Sequence, residues 1–115
     1  MHEASIALSL LDAAGRYCAE NNYKVINSLT VRIGKLSGVM PEALAFAFDA
    51  LKTETPAEKA NLIIEEVNAA GLCKGCNSNF TLDASYIIEC PLCGSGNFSI
   101  THGRELEFKE MEVDK

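Results

Sequence analysis

Four cysteines have the types and spacing to do chemistry: Cys73-Lys74-Gly75-Cys76, then thirteen residues, then Cys90-Pro91-Leu92-Cys93-Gly94. Two residues between cysteines let a tight turn aim both sulfurs at one ion, about 2.3 Å away for zinc. Gly75 and Gly94 are expected to supply the positive φ that such turns use. Four thiolates leave no open position for a substrate water, so the reading is a structural Zn(II) site. An iron site of rubredoxin type has the same ligand set. A disulfide framework is disfavoured by the odd count of five cysteines and by the lack of a basic region followed by an apolar run at the N-terminus. That lack also places the chain in the cytoplasm as an expectation. The fifth cysteine, Cys18, falls on an apolar helical stripe and reads as a core residue.

A second group of possible ligands stands at the N-terminus, Met1-His2-Glu3. A free α-amine, the backbone nitrogen of His2 and its Nδ1 can chelate one ion in adjoining five- and six-membered rings. Planar nitrogen ligation of this kind suits Ni(II) or Cu(II) better than Zn(II). Glu3 could add a carboxylate oxygen or its backbone nitrogen. The imidazole titrates near pH 6.5 and the amine near 7.7–8.0, so affinity is expected to rise steeply from about pH 6 to 8. His102, near the ribbon's exit, reads as an ordinary strand histidine, with a secondary ligand role as the outside alternative.

The elements that must position these groups follow from periodicity. Residues 4–20 read as a helix, with Ala7, Leu10, Leu11, Ala14, Tyr17 and Cys18 on one stripe. Residues 26–34 read as a strand, with Leu29, Val31 and Ile33 on one face. A second helix begins near Pro41, buries Leu44, Phe48 and Leu51, and carries Glu42 in its first turn. Thr55-Pro56-Ala57-Glu58 has the form of a capping box and predicts a short helical turn. A second strand covers 61–69. Within the cysteine segment, Phe80-Thr81-Leu82 and Tyr86-Ile87-Ile88 read as two short strands joined by Asp83-Ala84-Ser85. A long last strand spans roughly 97–112, with a change of phase after Phe108 and a further irregularity at Gly103.

Together these predict an α+β fold: two helices on a three-stranded mixed sheet with an inserted zinc ribbon. The first two strands flank a helix, hence are parallel; the second and last would lie side by side and antiparallel. Residues 1–69 with 98–115 form the α/β part and 70–97 the ribbon. The ribbon has too few large apolar residues to fold alone, so metal must supply its folding energy. The chain's 115 residues carry 16 acidic and 10 basic side chains, a net charge of −6. That balance fits a phosphate backbone poorly and argues against nucleic acid. No apolar run approaches a membrane span.

Met-His-Glu at the start, a helix directly behind it, and C-x-x-C followed by C-P-x-C-G together resemble the HypA/HybF family of nickel-insertion accessory proteins. Ile33-Gly34-Lys35-Leu36-Ser37-Gly38-Val39, Pro41-Glu42-Ala43-Leu44 and Leu62-Ile63-Ile64-Glu65-Glu66 extend the likeness over essentially the whole chain. The resemblance implies a nickel domain and a zinc domain. It assigns nickel to His2 with help from Met1 and Glu3, and structural zinc to Cys73, Cys76, Cys90 and Cys93. It implies a metallochaperone, not an enzyme, that works with a HypB-type GTPase and delivers nickel to the hydrogenase large subunit; some relatives serve urease. Some relatives also present an acidic ligand in the loop before the second helix, where this chain has Met40. A zinc-ribbon adaptor for protein or nucleic acid is the alternative reading. Nothing resembles a nucleophile–base pair or a phosphate loop.

Overall fold

The computed structural model describes residues 3–114. Met1, His2 and Lys115 lie outside them. The elements in order are α1 (Glu3–Asn21), β1 (Val25–Gly34), α2 (Pro41–Leu51), β2 (Asn61–Val67), β3 (Ala69–Cys73), β4 (Asn79–Leu82), β5 (Phe98–His102) and β6 (Leu106–Asp114). They form two three-stranded sheets, ordered β2-β1-β6 and β4-β3-β5. The first is the mixed sheet that accompanies the two helices.

α1 buries Ala7, Leu10, Leu11, Ala14 and Cys18, the stripe that its three- and four-residue spacing dictates. Tyr17, expected on that stripe, is instead exposed. The helix ends in a left-handed residue, Asn22 (φ 61°). The Tyr23 N–H then donates to the Cys18 carbonyl at 2.9 Å, the closing bond of a Schellman motif. α1 packs against α2. α2 starts with Pro41 at its first helical position, and its N-cap, Met40, has no side-chain cap. Leu44 and Phe48 are its buried residues; Leu51, expected beside them, is half-buried.

β1 is the central strand, and that position explains its burial. Leu29, Val31 and Ile33 are buried on one face, and Ile26 and Thr30, of the other parity, are buried as well. The centre also corrects the predicted strand order. β2 and β6 are not neighbours, because β1 lies between them; the antiparallel pairing expected where the chain enters and leaves the ribbon is made by β3 and β5. β6 runs opposite to β1: the Gly34 N–H donates to the Glu105 carbonyl at 2.8 Å and the Leu36 N–H to Gly103 at 2.7 Å. Gly34 is required here, since a Cβ would sit 2.0 Å from the Gly103 carbonyl oxygen.

The predicted long last strand is two strands. It breaks at Gly103 (φ 118°), so Phe98 and Ile100 belong to β5 while Leu106 and Phe108 belong to β6. The predicted second strand likewise divides into β2 and β3 at Asn68. The segment Thr55–Glu58 is a single hydrogen-bonded turn, the Glu58 N–H donating to the Thr55 carbonyl at 3.1 Å. Thr55 Oγ1 accepts from the Ala57 N–H at 3.1 Å, and the Glu58 carboxylate reaches back to the Glu54 N–H at 2.8 Å. That is a capping box displaced by one residue, on a Glu54 with φ 63°.

Two compact units divide the chain. One comprises the residues up to Val31, Val39–Glu65 and the chain from Glu107 on; the other comprises Arg32–Gly38 and Glu66–Leu106.

Candidate metal centre

β3 delivers Cys73 at its last position and is the middle strand of its sheet, pairing antiparallel with β4 (Gly71↔Phe80) and with β5 (Cys73↔Phe98). The β3–β5 register shifts between Ala70 and Gly71, leaving one extra residue, Thr101, on β5. The expected hairpin between 80–82 and 86–88 does not form. β4 takes β3 as its partner, and residues 86–88 are irregular, with Tyr86 and Ile88 exposed. Phe80 is buried because Gly71 opposite it leaves room. A Cβ there would meet the ring at 2.6 Å and the Ser99 carbonyl oxygen at 2.9 Å. The rings of Phe80 and Phe98 meet edge to face at 5.9 Å, a favourable geometry. With Leu82 and Ile87 they form the apolar wall around Cys73 and Cys90.

The two knuckles repeat one backbone design. The Cys73 N–H donates to the Ser78 carbonyl at 2.9 Å and the Cys90 N–H to the Ser95 carbonyl at 2.8 Å. In each, the residue after the second cysteine is left-handed: Asn77 (φ 60°) and Gly94 (φ 79°). Gly94 therefore takes the expected role, but Gly75 does not. Its place in the first knuckle is filled by Asn77, the non-glycine residue that best tolerates this conformation. Gly75 serves close approach instead, since a Cβ would lie 2.9 Å from the Ser95 side chain. The signal was present in the sequence as Cys76-Asn77 set beside Cys93-Gly94.

The four sulfurs lie within 4.8 Å of one another. Cys73 and Cys93 are 3.5 Å apart and Cys76 and Cys90 3.9 Å. A regular tetrahedron with arms of about 2.3 Å has edges of about 3.8 Å, so the donor set fits one tetrahedral ion. Backbone N–H groups point at the sulfurs: Gly75 and Cys76 at Cys73, at 3.3 and 3.4 Å, and Leu92 at Cys90, at 3.4 Å. Such donors stabilise thiolate charge. They hold the Cys73 thiol down to about 6, the Cys76 N–H contributing most and the Cys93 thiol adding to it. At Cys93 the Ser95 N–H also favours the thiolate, but the hydrogen bond with Cys73, partial desolvation of the sulfur by the neighbouring groups, and the thiols of Cys76 and Cys90 outweigh it and push the group up to about 12. The first cysteine of each knuckle is buried and the second exposed. Cys18 is buried in the helix stripe, where desolvation raises its thiol. His102 is exposed and 3.2 Å from Thr101 Oγ1, and the four-sulfur group does not include it.

Of the N-terminal candidates, Met1 and His2 lie outside the described residues. Glu3 opens α1, and its carboxylate accepts the Met40 N–H at 3.1 Å. This contact brings the first turn of α1 to the N-cap of α2, a pairing that sequence reasoning did not find.

Fold and site together define a class: an α+β protein with a knuckle-borne four-thiolate structural metal site. The family described as "Hydrogenase/urease nickel incorporation, metallochaperone, hypA" matches residues 1–113, and the chain belongs to it. The hydrogenase maturation factor HypA of Picosynechococcus sp. is 43% identical over 113 residues, covering 98% of this chain and 99% of the relative. The solution structure of the Ni metallochaperone HypA from Helicobacter pylori is similar at a TM-score of 0.67 and 28% identity, over 98% of this chain and 97% of that one. A further solution structure of a HypA protein aligns at a TM-score of 0.71 and 28% identity, covering 98% and 96%. Among the described residues no helix is long and apolar enough to cross a membrane.

Proposed function

We propose that this chain is a nickel carrier that binds Ni(II) through Met1, His2 and Glu3 and releases it to the large subunit of a [NiFe]-hydrogenase. The observation that carries the reading is the family match, which begins at residue 1 and so covers Met1, His2 and Glu3. Nickel is cargo in this reading and the chain has no catalytic step of its own. The engagement of the Glu3 carboxylate with Met40 favours the backbone nitrogen as the contribution of Glu3. The four cysteines hold Zn(II), whose closed sulfur shell fixes the knuckles and offers no site for substrate. On this division the nickel groups belong to residues 1–69 with 98–115 and the zinc ligands to residues 70–97. A HypB-type GTPase is the expected partner in delivery, the cytoplasm the expected compartment, and urease a second recipient.

The test is a nickel titration of protein with its native N-terminus beside His2→Ala. The substitution should abolish specific nickel binding and leave zinc content and the far-UV spectrum unchanged. Retention of full nickel affinity in His2→Ala would remove the reading.

A further inference from the structure

β6 is an outer strand: its sheet order is β2-β1-β6, so its second edge carries a row of backbone N–H and C=O groups without a neighbouring strand among the described residues. No residue of β6 is buried, and Leu106 and Phe108 are 45% and 37% exposed. Two further features set this edge apart from an ordinary surface strand. The first is a cavity of about 460 Å³ beside it, lined by Ala13, Tyr17, Tyr23, Phe108, Met111 and Val113 among others. The second is its charge pattern. Glu110, Glu112 and Asp114 recur at two-residue intervals and so share one face of the strand. Lys109, on the other face, is occupied by Glu65 at 3.0 and 3.1 Å. The remaining charge on the edge is acidic.

Charges on an edge commonly serve only to discourage aggregation. That role needs no aromatic-lined cavity alongside. A second copy of this chain fits badly. Each copy of the edge carries four carboxylates, Glu107, Glu110, Glu112 and Asp114, against one lysine, Lys109, which Glu65 already engages, so two such edges side by side repel overall. Nucleic acid is repelled by the same carboxylates. A basic, extended polypeptide satisfies all three features at once. Its backbone completes the ladder, its cations face the carboxylates, and an apolar side chain fills the cavity.

We propose that β6 is a docking edge for an extended segment of a partner protein carrying Lys or Arg at alternate positions and one bulky apolar side chain for the cavity. The mode is strand addition, and it requires no contribution from either metal group.

The probe is a capped heptapeptide that alternates lysine with valine or phenylalanine, titrated into the full metal-loaded chain and followed by amide NMR. Shifts should concentrate at the β6 amides and the Tyr17 and Tyr23 rings, and affinity should fall as salt rises. The double substitution Glu110→Lys with Glu112→Lys, both exposed and expected to fold normally, should weaken the peptide about tenfold or more. It should also create binding for the peptide with glutamate in place of lysine. A second variant, Val113→Asn, should weaken the lysine peptide through the cavity alone, because it leaves the charge of the edge unchanged. No shift at millimolar peptide, shifts centred elsewhere, or equal binding of the glutamate peptide to the unsubstituted chain would overturn the proposal. So would a concentration-dependent dimer that engages β6.

Discussion

Two regions of this chain are held together by different means. In the helical region Leu10, Leu11, Ile26, Leu29, Val31, Leu44 and Phe48 are buried. Each contributes about 1.5–3 kcal/mol through removal of apolar surface from water. In the cysteine region the buried cluster is Cys73, Phe80 and Cys90, with Leu82, Ile87 and Phe98 only partly covered. Two of the three buried members are themselves sulfur donors. The first region is therefore a core of apolar side chains outside the four-sulfur group. The second is a core whose centre is the metal site, so that unloading the metal removes cohesion where little else replaces it.

The largest separation between the regions should come from Cys90→Ser. Zinc content should fall well below one per chain, and amide dispersion should collapse for residues 70–97 while the α1 and α2 resonances persist; a uniformly folded variant with full metal would contradict the comparison. The reverse experiment is Phe48→Ala. It should cost about 3–5 kcal/mol in the helical region, read by denaturant unfolding of the helical signal, with metal stoichiometry unchanged. A smaller effect is expected from Gly34→Ala, whose Cβ meets backbone atoms of Gly103 and Arg104. Overpacking of this kind costs about 1–3 kcal/mol, and hydrogen exchange at the Leu36 amide should accelerate. The smallest is Thr55→Ala, which removes the acceptor for the Ala57 N–H at about 0.5–2 kcal/mol and should leave both metal contents unaltered.

Much of this was legible in the chain, because periodicity reports burial and C-x-x-C reports a turn. The stripe of α1, the start of α2 at Pro41, and the gathering of four sulfurs follow from local pattern. Strand neighbours do not. Alternation in β1 shows one buried face through Leu29, Val31 and Ile33. Only the sheet shows that Thr30 is buried too, because β1 is the central strand. Residues 86–88 have the composition of a strand, yet β4 finds its partner in β3, a choice set by long-range pairing. Gly103 was visible as an irregularity, but the complete change of sheet there depends on its φ of 118° and its close approach to Ala69 and Leu36. The contact of Glu3 with Met40 joins positions 37 residues apart, and no local signal announces it.

The central proposal is nickel at Met1, His2 and Glu3 and zinc at the four cysteines. Its most direct measurement is a nickel titration, with nickel-edge spectra, of the chain with its native N-terminus and of the same chain with a short extension before Met1. An added residue converts the α-amine into an amide and removes one arm of the chelate, with no change to the four sulfurs. The account predicts that the extension severely weakens nickel or changes it from planar to octahedral coordination, while zinc content stays the same. Equal nickel affinity and an identical spectrum in the extended chain would contradict it, and the amine chelate would have to be given up.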